Sequence, residues 1–143
     1  MEEEFNVLDI DLEGSKLLEA SAGTGKTYSV ALLVLRLILE KEIPIEKILM
    51  VTFTIPAVAE LETRIRKIVR LAFRHASGKL IDEARIRDVV GIPSPGKAVL
   101  LKKAMQSLDS LSVMTIHSFC HGFITNNPFE ASHSFETELM TDT

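Results

Sequence analysis

Eight residues near the start of the chain have the types and the spacing of a phosphate-binding loop. They are Ala20, Ser21, Ala22, Gly23, Thr24, Gly25, Lys26 and Thr27. The strict pattern is G-x-x-x-x-G-K-[ST], and the chain departs from it only at Ala20, which replaces the first glycine. Glycines let the backbone turn tightly, so that N–H groups converge on phosphate oxygens with no side chain between them. The motif therefore predicts nucleotide binding.

The residues that close the motif have distinct chemical roles. Lys26 can bridge the β- and γ-phosphates of a triphosphate, and the Thr27 hydroxyl can be a ligand of Mg²⁺. Tyr28 then begins a predicted helix, whose free first-turn N–H groups and positive dipole end face the phosphates. We assign nucleotide binding to residues 20–28, with ATP and Mg²⁺ as the expected ligands and Lys26 and Thr27 as the candidate catalytic residues.

A phosphate loop needs a strand before it and a helix after it. Residues 16–19 read as that strand and residues 28–40 as that helix. A continuous apolar run over 47–53 predicts a second strand, covered by the fold on both of its faces. A strand–helix–strand unit of this size implies a parallel pair. The phosphate loop is thus expected at the carboxyl edge of a parallel sheet.

The rest of the chain continues the alternation of strands and helices. We predict a long helix over 54–75 with Thr54 as its N-cap, weaker helices over 82–90 and 97–108, a strand over 111–116 and a short helix from 117 to 124. Residues 126–143 are polar and complete no element. The alternation predicts an α/β fold of the P-loop NTPase class, a parallel sheet flanked by helices, with a helical insertion at about 76–108.

Composition limits the class of protein. The 143 residues are 46% hydrophobic, which suits one globular domain, and they hold a single cysteine, Cys120. The acidic start, Met1 to Glu4, is the opposite of a secretory signal, and the longest apolar stretch is interrupted by Arg36. We therefore expect a cytoplasmic protein. The net charge of −4 argues against a small basic domain that coats nucleic acid.

The predicted long helix nevertheless has a local basic face. Residues 59–76 hold five basic residues and two acidic ones. Arg66, Arg70 and Arg74 follow one another at four-residue intervals, and six apolar residues are predicted to form the opposite, buried stripe: Leu61, Ile65, Ile68, Val69, Ala72 and Phe73.

Two polar and aromatic segments follow predicted strands. Thr52, Phe53 and Thr54 come after one strand, and His117 and Ser118 after the next. Ligands bind at the carboxyl edge of open α/β sheets, and hydroxyl, aromatic and imidazole groups suit the phosphates and bases of a single strand of DNA. The alternative is that the threonines cap helices and the phenylalanines fill the core.

Two further kinds of site are disfavoured by the sequence. His117, Cys120 and His121 have a spacing that one metal could use, but the other histidines, His75 and His133, are isolated, which disfavours a metal centre. ATP hydrolysis requires an acidic residue at the end of a buried strand, and no apolar run downstream of the loop ends in paired acids. We interpret the chain as part of a longer protein.

Four stretches in order resemble motifs of the UvrD-like superfamily 1 helicases. Residues 18–27 resemble the first motif, residues 51–66 are similar to the next motif and its helix, residues 113–120 resemble a third, and residues 135–139 are similar to the stretch after it. Two departures stand out. Ile55 and Pro56 replace polar or small residues, and the glutamine that often precedes the loop is missing, since Gln106 is the only glutamine.

The resemblance implies an ATP-driven motor that moves 3′→5′ along single-stranded DNA with two RecA-like domains. Some members act in a three-subunit helicase–nuclease that resects double-strand breaks for recombination. This chain would be the amino-terminal part of the first motor domain, inactive alone, and Thr52, Phe53, Thr54, His117 and Ser118 would contact DNA.

Two other functions stay open at this point. The chain could be a small P-loop kinase, for which Arg85 and Arg87 are the only candidate lid arginines. It could also be a non-catalytic module that binds a partner in response to nucleotide.

Overall fold

The computed structural model describes residues 6–18 and 25–127. Within them lie five α-helices and two β-strands, with short 3₁₀ turns at Ile45–Lys47 and Leu108–Ser110. In chain order the elements are α1 (Lys26–Glu40), β1 (Leu49–Thr52), α2 (Ile55–Ala76), α3 (Ala84–Val90), α4 (Pro95–Gln106), β2 (Ser112–Thr115) and α5 (Ile116–Asn126). The predicted mixed α/β class is confirmed in this form, a small parallel sheet flanked by helices.

The long helix α2 follows its sequence signals closely. Thr54 is the N-cap, and its hydroxyl accepts a hydrogen bond of 3.2 Å from the Ala57 N–H. Pro56 lies in the first turn, where a missing N–H costs nothing. Five of the six residues of the predicted apolar stripe are buried, and Phe73 is half-buried. The stripe packs against α1, α3 and α4 and forms the centre of the core.

The two strands lie side by side in parallel. In their register Thr52 is opposite Thr115, so both strands end at the same edge of the sheet. Helices α2, α3 and α4 connect them, which places the predicted helical insertion between paired strands. The predicted second and third strands therefore form a sheet, although each is shorter than predicted.

The predicted strand over 16–19 is wrong for the residues that the structure describes. Lys16, Leu17 and Leu18 adopt no strand, and Glu19 lies outside the described residues. The side chain of Leu17 is 87% exposed. A short apolar run becomes a strand only where a neighbouring strand and a core cover it, and no described element covers this one.

The prediction that the first observed strand is covered on both faces is also wrong. Met50 of β1 and Val113 of β2 are buried in the core, whereas Leu49 and Val51 point the other way and are 46% and 40% exposed. Side chains of a strand alternate between its two faces, so helices cover one face and the other is open. A continuous apolar run indicates that a strand can be buried, but it does not fix the number of layers present.

A buried arginine fastens the segment before the phosphate loop to α1. The guanidinium of Arg36 donates hydrogen bonds to the carbonyl oxygens of Val7 (2.8 Å) and Ile10 (2.7 Å). It also binds both carboxylate oxygens of Glu40 at 2.8 Å. Because a charged group is buried here only with its partners satisfied, these contacts fix residues 6–10 along α1. Among the described helices none is long and apolar enough to cross a membrane.

Candidate nucleotide and DNA sites

The start of α1 is built differently from an ordinary helix start. Gly25, its N-cap, has a φ of 78° and a ψ of 30°, in the left-handed region that glycine adopts without strain. No described side chain caps the helix, and its first turn holds no acidic residue. The backbone hydrogen bonds begin with the Ser29 N–H, which donates to the Gly25 carbonyl at 2.9 Å. The first-turn N–H groups thus face outward without a side-chain cap.

The two residues with predicted catalytic roles lie on this first turn. Lys26 is exposed and Thr27 is half-buried. Residues 20–24 of the loop lie outside the described residues. A helix start with free N–H groups, a positive dipole end and an adjacent ammonium group suits phosphate oxygens. The residues present therefore fit a bound nucleotide, with Lys26 placed to hold phosphate and Thr27 placed to hold Mg²⁺.

The side chain of Tyr28 is directed to the helical insertion. Its hydroxyl lies 3.4 Å from the carboxylate of Glu83, and the guanidinium of Arg85 lies 5.9 Å from its ring centroid. Burial, and next the charge of Glu83, raise the pKa of the Tyr28 hydroxyl. The sequence predicts Tyr28 in the nucleotide site but not its partners, since nothing in the spacing links residues 28 and 83. What Tyr28 can offer a nucleotide is its backbone N–H.

The second candidate site lies at the carboxyl edge of the sheet. Because Thr52 and Thr115 are register partners, the segments that follow the two strands emerge side by side. Each segment starts a helix at once, α2 after Thr54 and α5 after Thr115. The structure therefore brings together two segments, 52–54 and 117–118, that are far apart in sequence.

The hydroxyl groups at this edge are occupied by capping. Thr54 accepts from the Ala57 N–H, and Thr115 accepts from the Ser118 N–H at 3.1 Å. The Thr115 hydroxyl also donates to the Ser118 hydroxyl oxygen at 2.9 Å. The alternative that threonines serve as caps is confirmed for both helices. These hydroxyls stabilise helix starts first.

The phenylalanines at the edge behave in the opposite way. Phe53 is 85% exposed and Ile55 is 78% exposed, and on α5 the rings of Phe119 and Phe123 are also exposed. The alternative that phenylalanines fill the core is therefore wrong here. His117 is exposed in the first turn of α5. Exposed aromatic and imidazole rings beside two helix starts form a surface on which bases can stack.

The remaining candidate groups do not assemble into a site in the part of the chain that the structure describes. No three His, Cys, Asp or Glu side chains there are placed to hold a metal ion, so His117, Cys120 and His121 do not form such a group. His75 instead contacts the Gly91 carbonyl oxygen through Nε2 at 2.9 Å.

Comparisons with known proteins give the family. The UvrD/REP helicase N-terminal domain matches residues 2–142. The chain is 36% identical to RecBCD enzyme subunit RecB of Escherichia coli K12 and 32% identical to that of Haemophilus influenzae, over 98% and 96% of this chain. It is also 36% identical over 78% of its length to an ATP-dependent helicase/nuclease subunit of Clostridium botulinum, covering 8% of that protein.

The extent of these matches defines what they show. The chain spans about 13% of the length of the two RecB subunits. Within that span the match runs almost from end to end, across the phosphate motif, both strands and all five described helices. The chain belongs to the UvrD/REP helicase N-terminal domain family and is homologous to the N-terminal helicase region of RecB.

Proposed function

We propose that this chain is the ATP-binding part of a RecB-like, ATP-dependent DNA helicase and exonuclease subunit that acts in double-strand-break resection and recombinational repair. In this proposal the protein moves 3′→5′ on single-stranded DNA. Its partners are DNA and RecC- and RecD-like subunits, since the RecB relatives are subunits of a RecBCD enzyme.

The start of α1 carries the proposal. Gly25 holds the left-handed turn, the helix has no side-chain cap among the described residues, and Lys26 and Thr27 follow at once. Bound Mg²⁺–ATP would supply the free energy for movement along DNA. The chain's own contribution is to bind the phosphates through the loop N–H groups and Lys26, and to hold the metal through Thr27.

The carboxyl edge of the sheet supports DNA as the substrate. Phe53 is the side chain there with the largest exposed aromatic surface, and His117 lies on the neighbouring helix start. We propose that Phe53 and His117 contact bases, and that Thr52, Thr54 and Ser118 lie against the DNA backbone. Because the last two of these hydroxyl groups are committed to capping, the ring of Phe53 contributes most of the affinity.

The direct test is titration of a fluorescent ATP analogue into the chain, with and without Mg²⁺. Lys26→Ala removes a charged contact worth about 1.5–3 kcal/mol and should weaken binding by roughly tenfold or more. Lys47→Ala removes an equally exposed lysine from the turn before β1 and is the matched control. Thr27→Val should weaken the Mg²⁺-dependent part of the affinity.

Three results would contradict the proposal. Equal affinities for Lys26→Ala and Lys47→Ala would mean that phosphate does not bind where we place it. Phosphoryl transfer to a small acceptor without DNA would favour a kinase instead. DNA-stimulated hydrolysis by this chain alone, near the roughly 10 s⁻¹ typical of enzymes, would contradict the view that it is one part of the motor.

A further inference from the structure

A basic ridge runs along the solvent side of α2 and is separate from the nucleotide site and the strand-end site. It consists of Arg64, Arg66, Lys67, Arg70 and Arg74. Four of these residues are exposed, and Arg66 is half-buried. The apolar stripe of α2 faces the core from the opposite side of the helix. The chain therefore concentrates positive charge on one helix although its net charge is −4.

The ridge is not uniformly neutralised. Its first three cations each have an acidic partner: Arg64 lies 3.3 Å from Glu60, Arg66 lies 3.8 Å from Asp109, and Lys67 lies 3.8 Å from Glu83. Arg70 and Arg74 form no ion pair with any residue in the described ranges. Uncompensated positive charge is therefore greatest in the second half of α2.

Helix stability explains only part of this charge. A cation in the last turn of a helix interacts favourably with its negative dipole end, and Arg74 lies in that turn. Arg70 lies one turn earlier, where the dipole effect has largely faded. Neither side chain makes a hydrogen bond to a described residue that would give it a structural role.

We infer that Arg70 and Arg74, at the end of this basic ridge, bind the phosphate backbone of DNA outside the strand-end site. This inference rests on the proposed function, because it takes DNA as the ligand. The two guanidinium groups are one turn apart, about 6 Å along the helix. Duplex DNA carries one negative charge per roughly 1.7 Å of axis, so several phosphates lie within reach of the pair.

The placement of α2 favours DNA over an acidic protein as the partner. The helix begins at the carboxyl edge of the sheet, next to Phe53, and the ridge leads away from that edge for about 25 Å. One DNA strand can therefore contact the edge with its bases and the ridge with its phosphates. Arginine also presents a planar fork of donors that matches phosphate oxygens.

The test is the salt dependence of DNA binding by the 143-residue chain, measured by fluorescence anisotropy with a labelled 20-nucleotide single strand and the matching duplex. The ridge variant is Arg70→Gln/Arg74→Gln. The control is Lys47→Gln/Lys103→Gln, which removes two exposed cations at the opposite, amino end of the strands. Circular dichroism verifies that each variant is folded.

The expected result is a change in slope. Each phosphate contact contributes about 0.9 to the slope of log K against log salt for duplex DNA and about 0.7 for a single strand. The ridge variant should lower the slope by about 1.8 or 1.4, respectively, while the control leaves it unchanged. Its affinity for the ATP analogue should equal that of the wild type, since the ridge lies outside the phosphate site.

Three outcomes would overturn the inference. The ridge variant and the control could show equal slopes, or the wild-type chain could fail to bind either DNA. Alternatively, an acidic peptide such as oligoglutamate could bind in a ridge-dependent way while DNA binding does not depend on the ridge. The nucleotide titration reports separately on the proposed function, because loss of nucleotide binding in Lys26→Ala with an unchanged DNA slope in the ridge variant contradicts only the ridge.

Discussion

Helix α1 begins in one way, and helices α2 and α5 begin in another. The N-cap of α1 is Gly25, which has no side chain to offer, whereas Thr54 and Thr115 close the starts of α2 and α5 with their own hydroxyl groups. All three helices have free N–H groups and a positive end in their first turn. Only α1 leaves the whole set without a side-chain cap among the described residues.

The difference separates two kinds of binding surface. An uncapped start can satisfy its N–H groups with phosphate oxygens, so α1 suits a nucleotide. A capped start has already satisfied one of them, and its neighbours must supply the contacts to a ligand. At α2 and α5 those neighbours are exposed rings, above all Phe53. Backbone groups are therefore expected to dominate at α1, and side chains at the strand-end edge.

The largest expected effect is at the strand-end edge. Phe53→Ala removes a ring on which one base can stack, which should weaken single-stranded DNA binding by about 1–3 kcal/mol. Since Phe53 is 85% exposed, the free energy of unfolding should stay within roughly 0.5 kcal/mol of the wild type. Anisotropy measures the first quantity and urea denaturation the second. Ile92→Ala, which truncates an apolar side chain that is 81% exposed, is the control.

A loss of stability as large as the loss of DNA affinity would show that the ring packs in solution. The capped start would then offer no side-chain surface, and the comparison with α1 would fail.

The next effect concerns the uncapped start itself. Gly25→Ala meets no neighbouring atom within 4 Å, but it places a side chain in the left-handed region, which costs about 1–2 kcal/mol. If the helix start moves to relieve this strain, affinity for the ATP analogue falls. Titration measures that affinity. Gly122→Ala, in α5, is the matched control, because no φ strain applies there and alanine is the better helix former.

Equal nucleotide affinities for Gly25→Ala, Gly122→Ala and the wild type would mean that phosphate binding does not require a glycine at the start of α1.

The smallest effect is at the capped start. Thr54→Ala deletes the oxygen that accepts from the Ala57 N–H and should lower the free energy of unfolding by about 1 kcal/mol. Thr54→Ser keeps the hydroxyl and should restore most of it. Affinity for the ATP analogue should not change in either variant. If Thr54→Ala weakened nucleotide binding more than Gly25→Ala did, the assignment of the two starts would be reversed.

Local signals explain which parts of the fold were predictable. The Thr54 cap, Pro56 and the apolar stripe of α2 are all decided within a few residues of one another, and the structure agrees with them. The phosphate motif is equally local. Its neighbour in sequence, the predicted strand over 16–19, depends on partners elsewhere in the fold, and it is absent over Lys16–Leu18.

Exposure and distant contacts could not be predicted in this way. An apolar residue after a strand can fill a core or face solvent, so nothing in the sequence showed that Phe53 is exposed while Met50, three residues earlier, is buried. The pairing of Thr52 with Thr115 depends on the register of strands separated by three helices. The contact of Tyr28 with Glu83 likewise depends on how α3 packs.

Phosphate should bind the uncapped start of α1 and not the capped starts of α2 and α5. The most direct measurement is a ¹H–¹⁵N correlation spectrum of the labelled chain during titration with Mg²⁺–ADP. We expect the amide signals of Gly25, Lys26 and Thr27 to move most, while those of Ala57 and Ser118 stay in place. Largest shifts at Ala57 or Ser118, or no shift at Lys26 under saturating nucleotide, would contradict this assignment of the phosphate site.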